Sequence, residues 1–217
     1  MTHSPADERT IHRYEAFSDV VIGFSLAEIG ATLVAPKPGQ RLFDDPTWLI
    51  AFVIVFSVIC TLWFFHHRLF AIIFVPRTVP IILNFAWLGV VVLCAYSAQL
   101  VVRIPEDIGV WRLYFSLFVL AYGILAAQYY IGLHQLAGSL TTEVIGKARR
   151  QLAFMTLWTL PFILCATFAF TLPVAEMHLP VGLTFMATAV ASGLLGRYYR
   201  KRDGAGPGVE AVTRGEG

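Results

Sequence analysis

Charge is scarce in this sequence, and cysteine scarcer. Asp, Glu, Lys and Arg supply 14% of the 217 residues and apolar residues 57%, whereas a soluble domain is roughly 25% charged. That balance excludes a water-soluble globular protein and leaves no length for a separate soluble catalytic domain. The net charge is only +2, with its basic residues gathered beside apolar runs, which speaks against nucleic-acid binding. Cys60, Cys94 and Cys165 sit inside apolar runs without metal-ligand spacing, so they read as small buried hydrophobes. Neither Gly-x-Ser-x-Gly, His-Glu-x-x-His nor a paired acid site occurs. The chain is therefore not read as an enzyme, and no catalytic residue, metal or cofactor is expected. No internal repeat is evident. No small-residue cleavage site follows the first apolar run, which is expected to stay in place as a signal-anchor helix.

What remains is mostly membrane-length helix. Six apolar runs, at about 13–35, 48–65, 79–102, 113–133, 152–172 and 180–199, each approach the roughly 20 residues that a bilayer crossing needs. Pro36-Lys-Pro-Gly39 ends the first run, and His66-His67-Arg68 the second. Pro76 and Pro80 bracket a turn. Pro161 predicts a kink in the fifth helix, and the small residues from Ala187 to Gly196 predict close approach of the sixth. The segment 141–151 reads as a polar connection with affinity for anionic headgroups through Lys147, Arg149 and Arg150. Eleven basic residues, from Arg9 through Arg68 to Arg202, border one side of the runs; Lys37, Arg41, Arg103 and Arg112 border the other. That asymmetry puts both termini in the cytoplasm and requires an even number of crossings. The expected organisation is a short cytoplasmic segment 1–12, a transmembrane domain 13–200 and a disordered cytoplasmic tail 201–217. The protein is thus expected in the lipid bilayer, as a multi-pass integral membrane protein.

The first helix carries the unusual residues. At about 100° per residue, Arg13, Phe17, Phe24, Glu28 and Ala31 share one narrow face, and Asp19, Ile22, Leu26 and Ile29 the opposite one. Intramembrane acids are costly and usually functional, so Asp19 and Glu28 stand out. Trp63, His66 and His67 lie at the same depth as the start of this helix, as does Asn84 of the third. With Arg13, Ser18 and Asp19 they are expected to form a buried polar cluster that ties three helix ends together.

Arg13-x-x-x-Phe17-Ser18-Asp19 opening a first transmembrane helix resembles the signature of the transmembrane protein 175 family, a group of lysosomal and prokaryotic potassium channels. Trp63-x-x-His66-His67-Arg-Leu-Phe70 and Leu83-Asn84 are similar to further parts of the pattern. The resemblance implies an all-α membrane protein with six transmembrane helices, assembled as a homotetramer, here a divergent prokaryotic-type member of a prokaryotic plasma membrane. It implies that helix one lines a central pore for a permeant cation, potassium in that family. It also implies selection by hydrophobic constrictions rather than a carbonyl filter, and the chain has no Thr-Val-Gly-type filter sequence. The matched pore positions are Phe24, Ala27, Glu28 and Ala31. There the family has an aliphatic residue, a threonine and two leucines, and after Asp19 it has a glycine where this chain has Val20. An aromatic with an acid one turn further in replaces the hydrophobic stack. A ring of four Glu28 carboxylates would favour cations, and Glu28 is read as a cation or proton site, the alternative being a packed acid, protonated or hydrogen-bonded to Ser25, Thr32 or a neighbouring helix.

A divergent relative that does not conduct is one alternative, and two other functions compete. A proton-coupled carrier would use Asp19 and Glu28, but no inverted repeat or Gly/Pro-broken helix pair supports it. Haem held by His66 or His67 and a second histidine ranks last, since no two histidines face each other at mid-membrane depth.

Overall fold

The computed structural model describes residues 5–31, 47–136, 138 and 140–204. Their regular structure is six α-helices: α1 (Pro5–Ala31), α2 (Thr47–Ile72), α3 (Thr78–Arg103), α4 (Ile108–Gln135), α5 (Thr142–Thr171) and α6 (Val174–Gly204). The expected tail from 205 on, and the loop with Pro36 and Asp44, lie outside the described residues.

Helices α2 to α6 are long and apolar enough to cross a bilayer, and among the described residues α1 is not. Six such helices were expected. The difference has a physical reason: α1 carries Asp7, Glu8, Arg9, Arg13, Glu15, Asp19 and Glu28 over its length, and the end of the expected first run, 32–35, lies outside the described residues.

Several helices outrun their apolar runs. α2 continues to Ile72, so His66, His67 and Arg68 lie inside it rather than at its end. The expected polar connection at 141–151 is helical from Thr142: Thr141 Oγ1 accepts from the Val144 N–H at 3.4 Å, and Glu143 pairs with Lys147 one turn on at 2.6 Å. Asp107 likewise caps α4 by accepting from Gly109 N–H at 2.7 Å. α5 is helical through the buried Pro161, and α6 passes Pro180 and runs on beyond position 200, into the expected tail.

Helix α4 packs between α3 and α5, α2 touches all three, α1 lies on α2 and α3, and α6 lies on α5. The core is aromatic: Trp87, Phe115, Phe118, Tyr122, Tyr129 and Phe162 are fully buried. Phe118 stacks on Phe162 with centroids 4.8 Å apart, and the Tyr129 hydroxyl donates to the Phe65 carbonyl at 3.1 Å. Cys94 and Cys165 are buried among these side chains and Cys60 is half-buried, all as free thiols. At Gly132 a Cβ would stand 2.6 Å from the Ile73 carbonyl oxygen, so α4 meets the end of α2 backbone to backbone.

Candidate functional site: the two faces of the first helix

The inner face of α1 repeats at helical spacing. Ser18, Ile22, Ser25 and Ile29 are buried against α2 and α3. At its polar end a single hydrogen-bonded line crosses three helices. Ser18 donates its hydroxyl proton to the Tyr14 carbonyl at 2.8 Å. Its oxygen is thereby left to accept from Asn84 Nδ2 at 3.2 Å. Asn84 then offers Oδ1 to His66 Nε2 at 2.7 Å, which makes Nε2 the donor and the protonated ring nitrogen. His66 Nδ1 is buried without a partner, while the ring stacks on Trp87 at 4.3 Å and 2°. Ser18, His66 and Asn84 are each 0% exposed. These groups bond to one another because no water reaches them.

A second line runs beside the first. Trp63 Nε1–H donates to Asp19 Oδ1 at 2.8 Å, and one turn along α2, His67 Nδ1 lies 2.9 Å from Glu15 Oε1. Trp63 stacks on His67. Positions 15 and 19 of α1 thus meet 67 and 63 of α2, an antiparallel register that continues to Gly30 facing the Phe52 ring. His12 lies 3.7 Å from the other Glu15 oxygen.

Of the expected buried cluster, Ser18, His66 and Asn84 are buried together, whereas Asp19, Trp63 and His67 form a separate line that is exposed or half-exposed. Phe17 packs beside them edge-on against Phe85. Arg13 is not brought in: it is exposed, on the opposite face, with no hydrogen bond or ion pair among the described residues. Glu15 was missed by sequence reasoning. Its signal was the four-residue step to Asp19, matched by the same step from Trp63 to His67. His66 is thus engaged with Asn84, and His67 with Glu15.

The outer face of α1 is open. Phe24 is 73% exposed, and Ala27, Glu28 and Ala31 are exposed beside it. All four line one open groove of about 530 Å³ with Val21, Ser25 and Val92 of α3. Ser25 gives its proton to the Val21 carbonyl at 3.0 Å rather than to Glu28. Among the described residues Glu28 makes no hydrogen bond or ion pair.

Five membrane-length helices in one all-helical bundle define a multi-pass integral membrane protein. Residues 13–94, covering the polar lines and the open face, match the family described as the endosomal/lysosomal potassium channel TMEM175, and the chain resembles that family. Its fold is similar to the crystal structure of a lysosomal potassium-selective channel TMEM175 homolog from Chamaesiphon minutus: TM-score 0.62, 18% identity, 86% of this chain and 97% of that one. A single-residue variant of the potassium channel MtTMEM175, crystallised with a nanobody–MBP fusion protein, gives TM-score 0.61 at 16% identity over 87% of this chain and 93% of that one. At such identities the likeness is one of fold. No curated protein sequence matched significantly.

Proposed function

We propose that this chain is one subunit of a homotetrameric, potassium-type cation channel whose pore is lined by the outer face of α1. Phe24, Ala27, Glu28 and Ala31 face the conduction path, and the polar lines through Ser18 and Asp19 hold α1 to its own subunit. In this reading α1 is the sixth crossing, both termini are cytoplasmic, residues 13–200 form the channel domain and 201–217 the cytoplasmic tail. The membrane is a prokaryotic plasma membrane. The family match and both similar structures support it, since each is described as an ion channel rather than an enzyme.

One observation carries the reading. Glu28 stands on the exposed face of a helix embedded among apolar ones, with no partner from its own chain among the described residues. A carboxylate against lipid at such depth costs several kcal/mol, whereas beside a water-filled axis it costs little and attracts cations. The same acid supports a second reading, a proton path past the Phe24 aromatic.

Potassium, sodium and proton fluxes in liposomes separate these readings. Wild-type flux should follow the imposed electrical driving force, and Glu28→Gln should lower cation conductance several-fold or alter the ion order. A saturating, exchange-type flux would instead indicate a carrier. Unchanged conductance, selectivity and pH dependence in Glu28→Gln would remove Glu28 from the pathway.

A further inference from the structure

The last turn of α5 is fastened to α4 by a single guanidinium. Arg112, one turn inside α4, donates its Nε–H to the Ala169 carbonyl at 2.8 Å, and its guanidinium lies over the Phe170 ring at 5.1 Å. In a continued helix that carbonyl would accept from residue 173, and residue 173 is Pro, which has no N–H to give. Two contacts thus fix the guanidinium, and both of its NH2 groups remain unspent. Among the described residues Arg112 forms no ion pair. Of the acids at this end of the bundle, Asp107 accepts from the Gly109 N–H at 2.7 Å, and Glu106 and Glu176 are exposed without a bond to Arg112.

Next to this guanidinium a groove of about 400 Å³ runs between α4 and α5. Ser116, one turn on from Arg112, and Val119 line it from α4; Ile163, Ala166 and Phe170 line it from α5. From Phe170 back to Ile163 the lining covers two turns of α5, roughly 10 Å of largely apolar wall. Hydroxyls in these helices usually return their proton to the carbonyl one turn back, as those of Ser57, Thr61, Thr156, Thr159 and Thr167 do. Ser116 forms no such bond among the described residues, and it is exposed where it lines the groove. Arg112 and Phe170 stand at the end of the bundle where α3 turns into α4 and α5 into α6, with Trp111 half-buried beside them. That is the level at which lipid headgroups and interfacial tryptophans meet membrane helices.

We propose that this groove binds one phospholipid, with its phosphate held by the Arg112 NH2 groups and the Ser116 hydroxyl, and one acyl chain laid along Val119, Ile163 and Ala166. A guanidinium fork fits phosphate oxygens, and one cation matches the single negative charge of a phosphodiester. The apolar wall beyond it is a length that free phosphate would leave unused. The site lies on α4 and α5, apart from the exposed face of α1, and does not depend on whether the protein conducts.

The test is thermal unfolding and native mass spectrometry of the full chain in detergent, with added phosphatidylglycerol, diacylglycerol of the same acyl chains, or inorganic phosphate. Phosphatidylglycerol should raise Tm by roughly 5 °C at saturation and stay bound in the gas phase, while the other two do neither. Each variant is read as the shift from its own lipid-free Tm, because Arg112→Gln also deprives the Ala169 carbonyl of its donor. Arg112→Gln should lose the shift, and Arg103→Gln, basic at the same end but outside the groove, should keep it. Val119→Trp fills the groove while leaving Arg112 in place and should also lose it, and Ser116→Ala should reduce it. Equal shifts with the two lipids, a shift with inorganic phosphate, or no wild-type shift overturns the proposal. So does an unaltered shift in any of the three groove variants. A Val119→Trp chain of altered oligomeric mass, with no lipid retained by wild type, would assign the groove to a second copy instead. If Arg112→Gln does not fold, the wild-type arms and the other two variants still decide.

Discussion

Asn84 is the residue on which the inner face of α1 depends, because among the described residues it links the first helix to the second by hydrogen bonds through a side chain of the third. Removing its amide leaves the His66 Nε2–H without an acceptor and the Ser18 oxygen without a donor, both at 0% exposure. Interhelical hydrogen bonds in membrane proteins average under about 1 kcal/mol each, so Asn84→Leu should destabilise the chain by about 1–3 kcal/mol. The check is Tm in detergent; a variant as stable as wild type would mean that the line is ornamental. Ser18→Ala should cost less when added to Asn84→Leu than alone, since the shared bond is already gone. These three residues were legible in sequence, because polar groups at one depth on neighbouring helices must satisfy one another. Glu15 was not: so near the polar end of α1 an acid reads as solvated, and only the antiparallel register brings it to His67. Arg13 shows the opposite error. Its helical phase with Phe17 and Phe24 already placed it on the outer face, and depth alone was a poor reason to seat it in the cluster.

At the scale of helices, the sequence revealed order and number better than extent. Hydropathy marks where a chain leaves hydrocarbon, whereas a helix ends where its backbone stops finding i→i−4 partners. That is why α2 runs through His66-His67-Arg68 and α5 starts at Thr142, capped by Thr141. How two helices cross was illegible too, and Gly132 is the sharpest case. With the Ile73 carbonyl 2.6 Å from its would-be Cβ, Gly132→Ala must push α4 away from the end of α2. Overpacking of this kind costs about 1–3 kcal/mol, and here the atom in the way is backbone, which yields least. Gly123→Ala, on the same helix with nothing within 4 Å, should leave Tm unchanged. Equal Tm values for the two variants would show that the close approach is relieved by a small shift. The His67–Glu15 pair deserves less weight as an element-scale fastener. It is partly exposed, so His67→Ala should change stability by less than about 1 kcal/mol.

For the whole molecule, the decisive division is between the two faces of α1. One is closed by α2 and α3. The other presents Phe24, Ala27, Glu28 and Ala31, with Val92 of α3, to whatever surrounds the bundle. If four copies place that face around an aqueous axis, a thiol there meets water, whereas a thiol on the closed face does not. Ala27→Cys should therefore react with a membrane-impermeant, charged thiol reagent, and the reaction should block cation flux in liposomes. Ile22→Cys, at a position 2% exposed, should neither react nor lose flux. The native background is low, because Cys94 and Cys165 are buried and Cys60 is half-buried. A surface turned toward lipid predicts another pattern, in which neither variant reacts with a charged reagent and an apolar maleimide labels Ala27→Cys alone. The pair of reagents thus reads the environment of this face directly, and it does so without presuming which ion the pore carries.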